Sequence, residues 1–486
     1  MTAPLTQSQT GIFAECMQNP ESNLYNLSYL LKISKKIDLE RLREAILTTL
    51  EAHPYSYCRV KVNEEGNGEQ YIDDSEGFQV DIEEVADIDA VKPHLLQTMR
   101  LDGGKLFYFK LLNAPEANYI YFQFHHIVFD GASLRILVRD IDNAYQGKKI
   151  EDEPVSSIDF ALNEFEQRQG ELWKNDQQWY REHFVCDDVD TVLQPDLEEK
   201  TFRSRTVQRD LQIDADAINR FCKQNKVSLD NFFTSAYALL MSRYTGDDQV
   251  LFSTIWHGRG DFHLARTFGM FVRTVPAFFS VNGDMTLDEL FKQGPLTTEE
   301  TRKHSLYSYA DFCGEQGVET HQMFVYQGKL FRDMTLGGEP MTIEQLVNNM
   351  TNEPLEIQVF QTNDAFVISI SSHAHRYSEV FVEQLIQSYE TVLGQMMDLE
   401  KTLKEIQVVS DAQLKLLDQF NDTDSDYDDS QTIVSLFEKQ AQLHAEKVAV
   451  VFKDKQFTYK ELDEMSDRIA KLVASKGLGP RMWFPS

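Results

Sequence analysis

Cysteine is scarce in this 486-residue chain, and what there is lacks pattern. Cys16, Cys58, Cys186, Cys222 and Cys313 are odd in number, scattered, and never spaced as Cys-x-x-Cys. That argues against a disulfide framework and against a zinc site, so no metal is expected, and it points to a reducing compartment, the cytoplasm. Positive charge is also short: 47 Lys and Arg stand against 78 Asp and Glu, a formal net charge of -31. So acidic a surface repels phosphate backbones, which argues against a nucleic-acid partner. No run of eighteen apolar residues occurs, and Met1 leads into polar Thr-Ala-Pro-Leu-Thr-Gln, so neither a membrane span nor a secretory leader is expected. A Gly-x-Ser-x-Gly elbow is missing, and with it the expectation of a hydrolase triad. Hydrophobic residues are not short, at 42% with 11% aromatic. That is ample for globular folding, and the length suggests about three compact units.

The densest chemical signal is Tyr119-Ile-Tyr-Phe-Gln-Phe-His125-His126-Ile127-Val128-Phe129-Asp130-Gly131-Ala-Ser133. Its aromatic and β-branched opening predicts a buried strand. After it, Leu134, Leu137, Val138, Ile141 and Tyr145 fall at helical spacing, with Ser133 expected as N-cap and Gly147 as C-cap. The two histidines therefore sit on a strand-to-helix link, where a rigid scaffold can hold polar side chains in a cleft. Neutral imidazole accepts a proton near neutral pH, the property a general base needs. Asp130 is close enough to orient a ring or to pin the loop through an arginine, and Gly131 lets backbone or substrate approach closely.

The string His-His-x-x-x-Asp-Gly resembles the signature of the condensation domains of nonribosomal peptide synthetases, relatives of the chloramphenicol acetyltransferase-like acyltransferases. The resemblance implies an α/β fold: two lobes, residues 1–180 and 181–406, in a V-shaped pseudodimer with the active site at their interface. It makes His126 the catalytic residue and His125, Asp130 and Gly131 its support. Leu5 to Phe13 is similar to the family's first motif, with Gln9 at its glutamine and Gly11 where arginine is usual. Ala52 to Arg59 is similar to the second, and there the resemblance implies an arginine able to salt-bridge Asp130; Arg59 is the expected partner. Ser157 to Ala161 resembles the fourth, with Ser157 replacing its tyrosine, and Phe268 to Pro276 the fifth, with Arg273 in the asparagine position.

Asp187 to Lys200, acidic and aperiodic, reads as the crossover between lobes, and residues 407–431 as a linker. Residues 432–486 resemble the start of an adenylation domain, through Phe457-Thr-Tyr-Lys-Glu-Leu462, ending before any phosphate loop. Leu336-Gly337-Gly338-Glu339-Pro340 looks like a carrier-protein attachment motif, but proline stands where serine is required. The activity implied is amide-bond formation between a donor acyl or peptidyl thioester and an acceptor aminoacyl thioester. No cofactor is bound covalently; substrates arrive on the 4'-phosphopantetheine arms of carrier proteins. With Met1 leading straight into the first motif, the donor carrier is expected in trans, the acceptor carrier in the same module, beside an adenylation domain. Epimerisation is the alternative chemistry, but Ile255 and Trp256, not the glutamate of that subfamily, precede His257-Gly258-Arg259, and Gly269-Met270-Phe271 replaces its Gly-Trp-Phe. A non-catalytic recruitment module is the other alternative; such modules typically lose the second histidine, which this chain keeps as His126.

Overall fold

The structure is a computed structural model that describes residues 2–478 apart from 185–188, 190–191, 199–202, 319, 330–333, 347–350, 352, 363–364 and 427. Cys186 and part of the crossover expected over Asp187–Lys200 lie outside the described residues. The chain divides into two compact units, between Ser410 and Asp411.

In the larger unit, a five-stranded sheet runs in the order Thr342–Leu346, Asn26–Ile33, Asn118–His125, Phe107–Asn113 and Asp81–Glu84. Asn118–His125 is its middle strand, antiparallel to both neighbours and buried at every residue. Its aromatic run suits that place, because both faces must be apolar. One face packs under the helices Leu39–Ala52 and Gly131–Tyr145, where Leu42, Ile46, Leu134 and Leu137 share a core with Phe122 and Phe124. The other face buries Leu30, Leu112, Tyr119 and Tyr121.

A six-stranded sheet follows, in the order Arg273–Ser280, Gln249–Trp256, Gln322–Lys329, Leu355–Gln361, Phe366–His373 and Ser204–Asp210. The helices Leu229–Thr245 and Glu379–Leu393 cover it. Leu229–Thr245 is apolar almost all round and correspondingly buried, capped by Ser228 and closed by Gly246 at φ +83°.

The first core draws mainly on residues before 162 and the second on residues after 192, but the sheets do not divide the same way. Thr342–Leu346, from the second half, completes the first sheet by pairing with Asn26–Ile33, Ile343 facing Leu31. Phe268, Met270, Leu336 and Met341 likewise belong to the first core. The second half thus reaches back twice, and the segment around Phe268 positions the site.

The smaller unit holds the helices Asp411–Asn421, Ile433–Leu443 and Tyr459–Ser475 and a hairpin of Val448–Phe452 with Lys455–Thr458. Its apolar side chains stay largely in solvent, Phe420, Ile433, Phe452 and Leu472 among them. No described helix is long and apolar enough to cross a membrane.

Candidate active site

The strand ends at His125, the next three residues make a single 3-10 turn, and the helix Gly131–Tyr145 begins at once. The expected N-cap is corrected here. Asp130, not Ser133, caps the helix, its Oδ1 accepting from Ser133 N–H at 2.8 Å. Asp is as good a cap as Ser, and Ser133 sits at the position whose N–H a cap satisfies. Gly147 lies one residue beyond the cap, at φ +74°.

His126 is half-buried, with its ring held from one side. Nδ1–H donates to the carbonyl of Phe129 at 2.8 Å, and the backbone N–H donates to Tyr25 O at 2.7 Å. A carbonyl only accepts, so the proton of the neutral ring is on Nδ1 and Nε2 presents a lone pair. The turn is braced beneath by Gln9, whose Nε2 donates to Ile127 O at 2.8 Å and to Tyr55 Oη at 2.9 Å. Gly11, at the arginine position of the same motif, is exposed and open.

His125 differs from its neighbour in every respect. It is buried, its Nδ1 accepts from Ile127 N–H at 3.1 Å, and its Nε2 faces Cys16 Sγ at 3.7 Å. Burial, and then the neighbouring His126, push its pKa down to about 3, so it stays neutral. Burial and the adjacent Glu15 push the Cys16 thiol up to about 12, which makes it a poor nucleophile.

The carboxylate of Asp130 is wholly buried, and its partner is Arg259 at 2.9 Å. This corrects the expectation for Arg59, which lies in the strand Cys58–Val62 and has no contact with Asp130 among those described. Arg259 Nη2 also donates to Ser133 Oγ at 2.9 Å, and Nη1 to the carbonyls of Leu264 and Thr267, both at 2.6 Å. The ring of Phe271 lies 4.4 Å under the guanidinium, and Phe271 N–H donates to Asp130 Oδ2 at 3.2 Å. Gly258 makes the approach possible: at φ +67°, a Cβ there would stand 1.7 Å from Phe271 O.

More bonds join the two halves around this pair. Ser157 Oγ donates to Phe268 O, and Ser133 Oγ to Gly269 O at 3.0 Å. Arg273 pairs with buried Glu164 at 2.5 Å and donates to Ser305 Oγ at 3.0 Å, so the residue in the asparagine position is a clamp. His53, from the second motif, stacks on Phe268 with ring centroids 3.9 Å apart. Its two ring nitrogens donate to Glu153 at 2.6 Å and Asp140 at 3.0 Å. Burial alone would lower its pKa, but these carboxylates more than offset that, and it is raised.

Gly131 is exposed, has no positive φ, and a Cβ there would meet nothing within 4 Å. Backbone conformation therefore does not require glycine at this position. Gly131→Leu should therefore melt no lower than wild type, while transfer slows by roughly 10²-fold, the scale of a misplaced reactant. Parallel melts and transfer assays check this, and unaltered transfer excludes a substrate path over Gly131.

Glu353, half-buried ahead of Leu355–Gln361, has its carboxyl pushed up to about 7 by burial and by the charges of Glu356 and Glu15. Its folded pKa lies above its ordinary 4.5, so the folded state holds the proton more tightly. That stabilisation is complete below 4.5 and lost as pH rises through about 7. Glu353→Gln should flatten the loss of stability over that window and raise Tm at about pH 8. Melts of both proteins across the window check it.

Sequence reasoning placed His125, His126, Asp130 and Gly131 on one turn, and the structure keeps them there. It missed Arg259, which it used only to weigh epimerisation. The available signal was the His257-Gly258-Arg259 string at a strand end, a second polar cluster placed like the first.

A family model described as the condensation domain matches residues 1–417. Bacitracin synthase 3 of Bacillus licheniformis is 22% identical over 493 residues, covering 97% of this chain and 8% of that protein. The chain thus spans a small part of the curated relatives it matches. Among solved structures, the condensation domain of the Monacolin K polyketide synthase MokA superposes with a TM-score of 0.74 at 16% identity, covering 83% of this chain and 99% of that one. The X-domain solved in complex with OxyB from teicoplanin biosynthesis gives 0.70 at 17%, covering 84% and 96%. These likenesses establish the chloramphenicol acetyltransferase-like fold. By the extent of its family match, the chain belongs to the condensation domains of nonribosomal peptide synthetases, acyltransferases whose standard reaction is the formation of an amide bond.

Proposed function

We propose that this chain joins a donor acyl or peptidyl thioester to the amine of an acceptor aminoacyl thioester, each carried on a 4'-phosphopantetheine arm. The acceptor nitrogen attacks the donor carbonyl, the C–N bond forms, the C–S bond breaks, and the donor arm leaves as a thiol. His126 Nε2 takes the proton the nitrogen sheds, or carries charge beside the tetrahedral state. The observation behind this reading is the Nδ1–H bond to Phe129 O, which in the neutral ring leaves the lone pair on Nε2. His125 supports the turn, Asp130 with Arg259 anchors it to the second half, and Gly131 leaves room for the acceptor. No nucleophilic side chain is needed, in keeping with the raised pKa of Cys16.

Donor and acceptor are each presented by a carrier protein, and residues 432–486 resemble the opening of an adenylation domain, in a protein read as cytoplasmic. A panel of acyl and aminoacyl carrier thioesters, presented pairwise and read as amide product, tests the reading. Product with at least one ordinary acyl donor is expected; carrier binding without product on any pair would favour a recruitment module.

A further inference from the structure

Arg59 is left with no partner. It lies in the strand Cys58–Val62, where Cys58 and Val60 point into the core and Arg59 points the other way. Only 8% of it is exposed, yet no described residue forms a hydrogen bond or ion pair with its guanidinium. The nitrogens are not sealed in either, since none is among the orphaned buried atoms. Arg59 lines a cavity of about 150 Å³ together with Tyr57, Phe78, Lys105, Phe107, Tyr108 and their neighbours. Asp73 feels the charge of Arg59, but its carboxylate already accepts from Ser75 N–H and Oγ. Glu76, also lining the cavity, is paired with Lys105 at 3.0 Å. Asp81 completes the charged lining, on the strand Asp81–Glu84.

Arg59 is nine-tenths buried as a residue, and its guanidinium, which solvent reaches, has no hydrogen-bond acceptor among the described residues, so it is free to receive an anion. The walls add a second specification. Tyr57 and Phe78 lie 4.6 Å apart between ring centroids, inclined at 45°, and Phe107 and Tyr108 close the space. A cavity of about this size is known to hold one benzene ring. We infer that the cavity is a binding site for a small carboxylate bearing a single ring, the size of benzoate, its carboxylate received by Arg59 and its ring by Tyr57 and Phe78. Phe107 packs edge-on against Phe129, whose carbonyl holds His126, but no lining residue forms a hydrogen bond or ion pair with His126, Asp130 or Arg259.

The test is titration of the whole 486-residue chain with sodium benzoate at fixed ionic strength, followed by calorimetry, beside benzamide and inorganic phosphate. Saturable one-to-one benzoate binding is expected, with benzamide and phosphate each at least about tenfold weaker, as loss of a charge-assisted bond or of the ring contact requires. Arg59→Met should weaken benzoate by about tenfold or more, and a thermal melt checks that it folds. Should that variant fail to fold, the comparison of benzoate with benzamide on the natural chain still decides. Equal affinity for both, phosphate displacing benzoate at equal concentration, or no saturation would each overturn the inference.

Discussion

Asp130→Ala should lower the unfolding free energy by about 3–5 kcal/mol, because it leaves the buried Arg259 without its counter-charge. The side chains involved are 0% and 5% exposed, so solvent cannot take over the role. The same substitution strips the helix Gly131–Tyr145 of its cap, itself worth about 1 kcal/mol, and leaves Phe271 N–H unpaired. Arg259→Met should be comparably damaging, while the double variant should lose less than the sum, since the two charges are removed together. Arg59→Met provides the contrast: with no bond to lose, it should stay within about 1 kcal/mol of wild type. Denaturant unfolding of the four proteins checks the set. An Asp130→Ala protein as stable as wild type would contradict the anchoring role and return the aspartate to the chemistry.

His126→Ala should slow single-turnover transfer by roughly 10²–10⁴-fold, the range for one positioned acid-base group. Its structural cost is small, because the ring is half-buried and contributes one hydrogen bond, to Phe129 O. Carrier binding should survive, since the half-buried imidazole offers little surface to a docking protein. His125→Ala inverts the pattern, losing stability first and rate second, since that ring is buried and accepts from Ile127 N–H. Transfer rates set beside melts and carrier titrations separate the two. A folded His126→Ala protein that transfers at the natural rate would remove His126 from the chemistry.

Local order was legible in the sequence where one period dominates. The aromatic and β-branched run before the histidines, expected as a buried strand, is the middle strand Asn118–His125. The N-cap was misplaced because Asp130 and Ser133, three apart, are both good caps, and only backbone geometry chooses. Asp81–Glu84 is acidic surface and at the same time an edge strand whose Glu83 meets Lys110. Thr342–Leu346 could not be assigned to the first sheet, because its partner lies some three hundred residues earlier and its pattern is half polar. Arg259 was passed over in favour of Arg59 for a related reason. Sequence proximity and motif position favoured Arg59, whereas the pair that forms is set by Gly258 and Gly269, whose bare Cα atoms let the second half close on Asp130.

The central claim is direct transfer of an acyl group between two carriers with no stop on this chain. Intact-mass analysis of all three proteins, after mixing a donor-loaded carrier, an aminoacyl-loaded carrier and this chain, tests it most directly. The account predicts that the acceptor carrier gains the acyl mass, the donor carrier loses it, and this chain keeps its own mass throughout. An acceptor carrier of unchanged mass, or the acyl group found on this chain, would contradict it.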